Sequence, residues 1–359
     1  MIALVFCGDL KYCPYLSRYT EILGENNVDY EVLFWNRSSF IKDLPQNYRY
    51  YDSSSKLDKG KLSKLFDFWG FRKWVKKQVK TRKYDKFIIL STLDGIIISD
   101  VLKKYKGRYI FDIRDYSYEN IPLFYKLEKN IIDRSAFTAI SSLGFKAFLP
   151  DSDKYILAHN FNPQEAKNVT AQFRFNKEKP LNIVWNGTMR FFEHQKFIIN
   201  ALKNDERFRL IYHGAGPELE KYKEFCKNEN VENIVFTGAY DNKDKAKLLA
   251  DADVLNNSYG YGRYNVAEKE LKYAVPNRYY DGMIYHIPQF VEINGHKCDI
   301  AESNGVGKGI AFDENFADNL YNYYCSIDAG SFDRACSATL NMVIDEDDLY
   351  IRKITEFIK

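Results

Sequence analysis

The chain has 359 residues, 45% hydrophobic and 28% charged, with a formal net charge of +3. These are globular proportions. They exclude a disordered or collagen-like chain and, at this length, predict about two domains, each large enough to bury its own core. The chain holds no run of about eighteen apolar residues, and its six cysteines are scattered with no Cys-x-x-Cys pair. Both features argue against a membrane-spanning helix, a zinc ribbon or a thioredoxin-type centre, and for the cytoplasm.

Residues 2–7 are a short apolar run followed by Gly8-Asp9, and read as a first strand rather than a signal peptide. Residues 15–23 have helical spacing, and 30–35 read as a second strand. The β-branched run 86–91 precedes Asp94, which is expected to cap a helix over 95–104. Strands follow at 108–113, 136–140 and 155–158, with a helix over 121–134. A polar stretch over 161–180, with Pro163 and Pro180, reads as a connection. The alternation then restarts. Strands are expected at 181–185, 208–212, 233–237 and 253–256, and helices at 196–202, 218–227, 243–250 and 345–358. Strand–helix alternation predicts parallel sheets covered on both faces. The expected division is a first domain over 1–165, a linker over 166–180, a second domain over 181–340 and a C-terminal helix over 341–359.

Charge divides unevenly along the chain. Residues 1–160 hold 27 Lys and Arg against 19 Asp and Glu, and the remainder holds 25 against 30. One half is therefore expected to meet an anionic surface. Residues 56–86 concentrate this, with twelve Lys and Arg against three Asp, interleaved with Phe66, Phe68, Trp69, Phe71 and Trp74. That mixture suits an anionic membrane interface, against the blander reading of a packed helix with a solvated basic edge. Its apolar positions form two stripes, which a break near Gly70 would reconcile. The acidic second half disfavours nucleic acid. The four Asn-x-Ser/Thr sequons, at Asn36, Asn168, Asn186 and Asn256, are read as chance.

Ligands of open α/β sheets bind beyond the carboxyl ends of the strands. Gly187, Gly214, Gly216 and Gly238 all follow expected strands. A glycine there lets backbone N–H groups approach a phosphate, although any one of them could be an ordinary tight turn. As a set they favour a nucleotide site.

The segments Leu210-Ile-Tyr-His-Gly-Ala-Gly-Pro217, Ile234-Val-Phe-Thr-Gly238 and Asp251-Ala-Asp-Val254 stand in this order. They precede Val275-Pro-Asn-Arg-Tyr-Tyr-Asp-Gly-Met-Ile-Tyr-His-Ile-Pro-Gln-Phe-Val291. Together they resemble the donor-binding half of GT-B glycosyltransferases, particularly of the family 4 type, over about residues 181–320. The resemblance implies two Rossmann-like domains facing a central cleft. It also implies sugar transfer from a nucleotide-sugar donor, a UDP-sugar favoured, without a metal or other cofactor. The acceptor would be a glycan or lipid-linked glycan in capsule, O-antigen or related polysaccharide synthesis, and the enzyme would sit at the inner face of the membrane.

The resemblance also implies roles for particular residues. Asp281 stands where the family grips the donor ribose, and Arg278 where it has a lysine. The base would lie against Gly238-Ala239-Tyr240. Arg190 and Lys196, six apart, match a diphosphate-clamping pair, set two places later from Gly187 than usual. Fixed cations there would stabilise the leaving diphosphate, which makes Arg190 a catalytic candidate. Ser258 and Arg263, in Asn256-Asn-Ser-Tyr-Gly-Tyr-Gly-Arg-Tyr264, could contact sugar and phosphate. The paired glutamates of retaining members are not intact, since Tyr273 stands eight places before Asp281. Retention or inversion therefore stays open. The acceptor is expected near Gly8, Arg114 and His159, with Asp9 or Asp115 as general base if the enzyme inverts. An N-cap or a pairing with Arg114 serves Asp115 as well, and a structural role serves His159. The alternatives are a degenerate binding protein, which the missing glutamates keep open, and a nucleotide-sugar epimerase of the same fold. A nicotinamide oxidoreductase is disfavoured, because no Gly-x-Gly-x-x-Gly follows the first strand.

Overall fold

The computed structural model describes residues 1–37, 44–52, 61–176, 178, 180–260 and 268–359. The chain divides into two compact units, Met1–His159 with Asp345–Lys359, and Asn160–Ile344.

The first unit is built on seven strands: β1 (Ile2–Phe6), β2 (Tyr30–Asn36), β3 (Tyr48–Asp52), β4 (Lys86–Ile89), β5 (Tyr109–Ile113), β6 (Phe137–Ile140) and β7 (Tyr155–Leu157). All pair in parallel, in the order β3-β2-β1-β4-β5-β6-β7. Every residue of β1 and β5 is buried, as expected of strands covered on both faces, which is why β1 reads as an unbroken apolar run and β5 as one interrupted only by Asp112. Between the strands lie α1 (Leu16–Glu25), α2 (Lys61–Arg82), α3 (Thr92–Ile97), α4 (Ser99–Leu102) and α5 (Pro122–Arg134). Strand order reverses between β1 and β4.

The second unit repeats the plan. It opens with α6 (Pro163–Asn168), β8 (Leu181–Asn186), α7 (Phe192–Leu202), β9 (Phe208–His213), α8 (Leu219–Asn228), β10 (Ile234–Gly238), α9 (Lys245–Leu249) and β11 (Val254–Asn256). It continues with α10 (Glu268–Tyr273), α11 (Asn277–Ile284), β12 (Gln289–Glu292), α12 (His296–Ser303), β13 (Gly307–Ile310), α13 (Phe316–Cys325) and the part of α14 (Ala329–Ile358) that precedes Asp345. The six parallel strands run β10-β9-β8-β11-β12-β13, reversing between β8 and β11. Such reversal points open a crevice at the carboxyl edge of a sheet.

Four local expectations change. Ser91, not Asp94, caps α3: its hydroxyl accepts the Asp94 N–H, while the buried Asp94 carboxylate accepts the Cys7 N–H at 2.6 Å. The polar connection holds α6, started by Pro163 and capped by Asn162, whose side chain accepts the N–H groups of Gln164 and Glu165. Helix α2 runs unbroken through Gly70. Glycine is needed there for space, since a Cβ would fall 2.3 Å from the Tyr51 hydroxyl. Helix α14 is longer than the expected C-terminal helix, and residues 345–359 belong to the first unit, where Tyr350, Ile354 and Ile358 join its core.

Candidate functional site

The reversal point of the second sheet is framed by backbone. Beyond β8 and β9 the loops continue to pair: Gly187 N–H donates to His213 O at 2.9 Å, Gly214 N–H to Gly238 O at 2.8 Å, and Met189 N–H to Ala215 O at 3.0 Å. A Cβ on Gly214 would fall 1.8 Å from Gly187 O, and one on Gly216 2.5 Å from Met189 O. These glycines therefore let one loop lie on the next. The Gly187 and Gly214 N–H groups are committed inside that ladder, so the phosphate cradle expected of them is spent on loop pairing.

Arg278 stands at the centre. Its Nε and Nη2 donate to Asn186 O at 3.1 and 2.7 Å, and its Nη1 donates to Asn256 O at 2.8 Å. The guanidinium thus ties the ends of β8 and β11 across the reversal point, stacked 3.6 Å from the Trp185 ring centre. Three residues on, Asp281 lies on the same face of α11, whose residues from Arg278 to Ile284 are all buried. Its carboxylate accepts Asn186 Nδ2 at 2.8 Å and Lys245 Nζ at 2.9 Å. Burial pushes the Asp281 carboxyl up from the usual range, against the pull of Lys245 and Asn186. Lys245 also donates to Glu165 at 3.0 Å. Burial disfavours its ammonium, but Asp281 and Glu165 outweigh this and raise its pKa. Tyr240 completes the group, its pKa raised by burial and by Asp281 against the pull of Arg278, Lys245 and Asn186. Four of the expected donor residues, Gly187, Tyr240, Arg278 and Asp281, are therefore brought together.

The loop after β11 is held from the other side. Ser258 is fully buried and bonded to His194, and the Tyr259 and Gly260 N–H groups donate to Glu292 at the end of β12. Lys297, also buried, stands 3.1 Å from Glu292 and over the Tyr259 ring. Burial opposes ionisation of both partners. For Glu292 the charges of Lys297 and His194 prevail and hold it below the usual range, whereas for Lys297 burial prevails and lowers its pKa. Arg190 is exposed on the loop after β8, its guanidinium over the Phe191 ring and its carbonyl held by the Tyr222 hydroxyl. Lys196 lies over Phe225 of α8, so different rings hold these two cations. Arg263 lies outside the described residues.

In the first unit, Gly8 and Asp9 follow β1 and are both buried. Arg114 is buried and turned inward: it forks onto Asp112 at 2.6 and 2.9 Å and donates to Ala158 O at 2.9 Å. Asp115, next along, is exposed. His159 bonds Glu346 at 2.8 Å. Burial lifts the Asp94 and Glu128 carboxyls to about 8.

Sequence reasoning did not single out Lys245, Glu165, Glu292, Lys297 or His194. Lys245 falls within the expected helix 243–250, and Glu165 at the end of the expected first domain. Only their spatial partners distinguish them.

No protein-family model and no curated protein matches the chain. Solved structures do. A glycosyltransferase from Rickettsia africae aligns over 100% of this chain and 97% of its own, at 15% identity and a TM-score of 0.69. Anabaena HepE, in complex with UDP and glucose, aligns over 98% and 99%, at 13% identity and 0.63. The lipopolysaccharide outer core galactosyltransferase WaaB, in its apo form, aligns over 99% and 98%, at 14% identity and 0.59. Two parallel α/β units with this strand order, matched end to end by these proteins, give the chain the GT-B glycosyltransferase fold.

Proposed function

We propose that this protein is a glycosyltransferase that moves a sugar from a nucleoside diphosphate donor, a UDP-sugar, to a glycan or lipid-linked glycan of the cell surface. The observation that carries this reading is the convergence of Tyr240, Asn186, Arg278 and Asp281 at the β8/β11 reversal point. A carboxylate beside an aromatic ring is what a ribose and its base need, and HepE has been crystallised with UDP and with UDP-glucose. In this reading Asp281 accepts the ribose hydroxyls and Tyr240 lies against the base. Arg190, exposed on the adjoining loop, neutralises the diphosphate as it gains charge in leaving. Side-chain cations do this work without a metal. Asp9 or Asp115 takes the acceptor proton if the configuration inverts.

The test is thermal-shift titration with UDP, GDP, CMP and dTDP, each with and without EDTA. UDP is expected to give the largest shift, insensitive to EDTA. Asp281→Asn is expected to weaken UDP binding about tenfold or more, the scale of a lost charge-assisted hydrogen bond. No shift with any nucleotide sinks the reading and favours a degenerate binding protein.

The acceptor part of the reading is carried by α2. Phe66, Trp69, Lys73, Lys77 and Lys80 recur on one exposed stripe, while Phe71 and Val75 face inward and Asp100 holds Arg72 and Lys76. Lys73 lies 3.5 Å over the Trp69 ring. Aromatic rings followed by a row of ammonium groups match an anionic bilayer surface, where a lipid-linked acceptor would be met. Lys56 and Lys59 of the same stretch lie outside the described residues. Each basic residue near such a surface contributes about 1 kcal/mol, so Lys73→Glu with Lys77→Glu and Lys80→Glu is expected to weaken vesicle binding over a hundredfold. Sedimentation with phosphatidylglycerol and with phosphatidylcholine vesicles decides it. Equal binding by wild type and variant returns the stripe to a solvated helix edge.

A further inference from the structure

Asp281 is a buried carboxylate with two of its positions already taken. Lys245 Nζ reaches Oδ1 at 2.9 Å, and Asn186 Nδ2 reaches Oδ2 at 2.8 Å. A carboxylate offers about four lone-pair sites, so about two remain, one on each oxygen. That is the number a ribose with vicinal hydroxyls would fill. The ammonium is itself fixed: Glu165 of α6 accepts from it at 3.0 Å, and Glu165 in turn accepts the Tyr285 hydroxyl. A chain of contacts thus runs from α6 through α9 to α11. We propose that Lys245 is a positioning residue of the donor site, fixing the Asp281 carboxylate so that its remaining lone pairs meet the donor ribose.

This inference rests on the nucleotide-donor reading above, and adds to it the residue that makes Asp281 usable. A carboxylate with almost no access to solvent binds hydroxyl donors best when charged, and the charge must be compensated nearby. The groups facing Asp281 are Lys245 from α9, Asn186 from β8 and Tyr240 from the loop after β10. Glu165 from α6, Tyr259 from the loop after β11 and Tyr285 at the end of α11 complete the set. Lys245 is the cation bonded to the carboxylate, Arg278 of the same helix as Asp281 shares the Asn186 side chain with it, and Glu165 opposes both cations. Without the lysine, burial and Glu165 both push the Asp281 proton on, so donor binding weakens progressively as pH falls.

The experiment is isothermal titration of UDP into wild type, K245M, K245R, D281N and the double variant K245M/D281N, from pH 6 to pH 8.5. Each affinity is taken as a ratio to wild type at the same pH, which cancels the titration of UDP itself. The K245M deficit is expected to grow about tenfold or more from pH 8.5 to 6. K245R is expected to stay near wild type throughout, and K245M to add no pH-dependent deficit in the D281N background. K245Q, which keeps a donor without the charge, must show the same growing deficit, and thermal melts confirm that each variant folds. A ratio constant with pH, or an undiminished K245M effect in D281N, overturns the proposal. Failure of wild type to bind UDP is a different result and removes the donor reading instead.

Discussion

Gly214→Ala tests whether the strand-end glycines serve loop packing or ligand approach. A Cβ at this position would stand 1.8 Å from Gly187 O and 2.9 Å from Gly187 C. These are backbone atoms, so no side chain can swing aside. Relief requires a shift of more than about 1 Å, away from the two hydrogen bonds that pair Gly187 with His213 and Gly214 with Gly238. Each such bond contributes about 0.5–1.5 kcal/mol net. The φ of +141° adds about 1–3 kcal/mol for any residue with a Cβ. The expected loss is about 4 kcal/mol, at the severe end for a single substitution.

Gly238→Ala is the control. Its φ is +80°, but a Cβ there would meet nothing within 4 Å. It therefore suffers only the left-handed backbone cost, about 1–2 kcal/mol. Urea unfolding followed by fluorescence compares the two, with Trp185 as the sole tryptophan of the second unit. UDP affinity is also expected to fall in Gly214→Ala, because Gly187 lies against Arg278: a Cβ on Gly187 would stand 3.2 Å from its Nη2. Gly214→Ala within about 1 kcal/mol of wild type, or no worse than Gly238→Ala, refutes the packing argument.

Arg278→Lys keeps the charge but cannot span Asn186 O and Asn256 O together. It is expected to destabilise by about 2–4 kcal/mol in the same urea assay, and a neutral result would mean that Arg278 does not tie β8 to β11. Glu128 sets a pH dependence in the first unit. The unfolded chain releases its proton near pH 4.5, whereas the folded chain holds it to about 8. Stability from this group is therefore lost as pH rises across that window and levels off above it, at up to roughly 1.4 kcal/mol per pH unit. Asp94, lifted to about 8, acts with the same sign, so Glu128→Gln is expected to flatten the decline by about half in thermal melts at pH 5 to 9. An unchanged slope would remove Glu128 from the account. Among the thiols, Cys325 is exposed, Cys13, Cys226, Cys298 and Cys336 are buried, and half-buried Cys7 has its pKa raised by burial and so reacts slowly. One fast-reacting thiol is expected with a chromogenic disulfide in the native protein and six in denaturant.

The sheets were legible because parallel strands buried on both faces are written as apolar runs, as in Ile2–Phe6 and Ile183–Trp185. Strand β3 (Tyr48–Asp52) was not. It lies at the sheet's edge, is only partly buried, and reads as a polar aromatic stretch. At the site, Asp281, Arg278 and Tyr240 were legible from sequence motifs and converge in space. Asp94 was read as a cap because it precedes a helical run. The true cap lies three residues earlier, and the carboxylate turns inward to the Cys7 N–H. Lys245 and Glu165 are 80 residues apart and meet only through the fold. No local pattern marks either one, since a lysine on a short helix and a glutamate after a proline are among the commonest surface residues.

The charges buried around the β8/β11 reversal point bear on why such residues are there at all. Arg278, the Asp281–Lys245–Glu165 group and the Glu292–Lys297 pair crowd one edge of one sheet. Taking ions out of water costs several kcal/mol each, and well-packed apolar residues in their place would generally serve stability as well or better. Stability alone therefore does not account for them. Part of their work is mechanical: Glu292 holds the Tyr259 and Gly260 N–H groups, and Arg278 ties the ends of β8 and β11 through the Asn186 and Asn256 carbonyls. The remainder is Asp281, whose carboxylate makes two hydrogen bonds where about four are available. In the proposed donor reading, the remaining lone pairs of this buried, compensated carboxylate take the ribose hydroxyls. The same residues argue against a merely structural fold, because an asparagine at 281 would satisfy Asn186 without needing Lys245. The Asp281→Asn variant separates the two roles: it is expected to melt within about 1 kcal/mol of wild type while losing UDP.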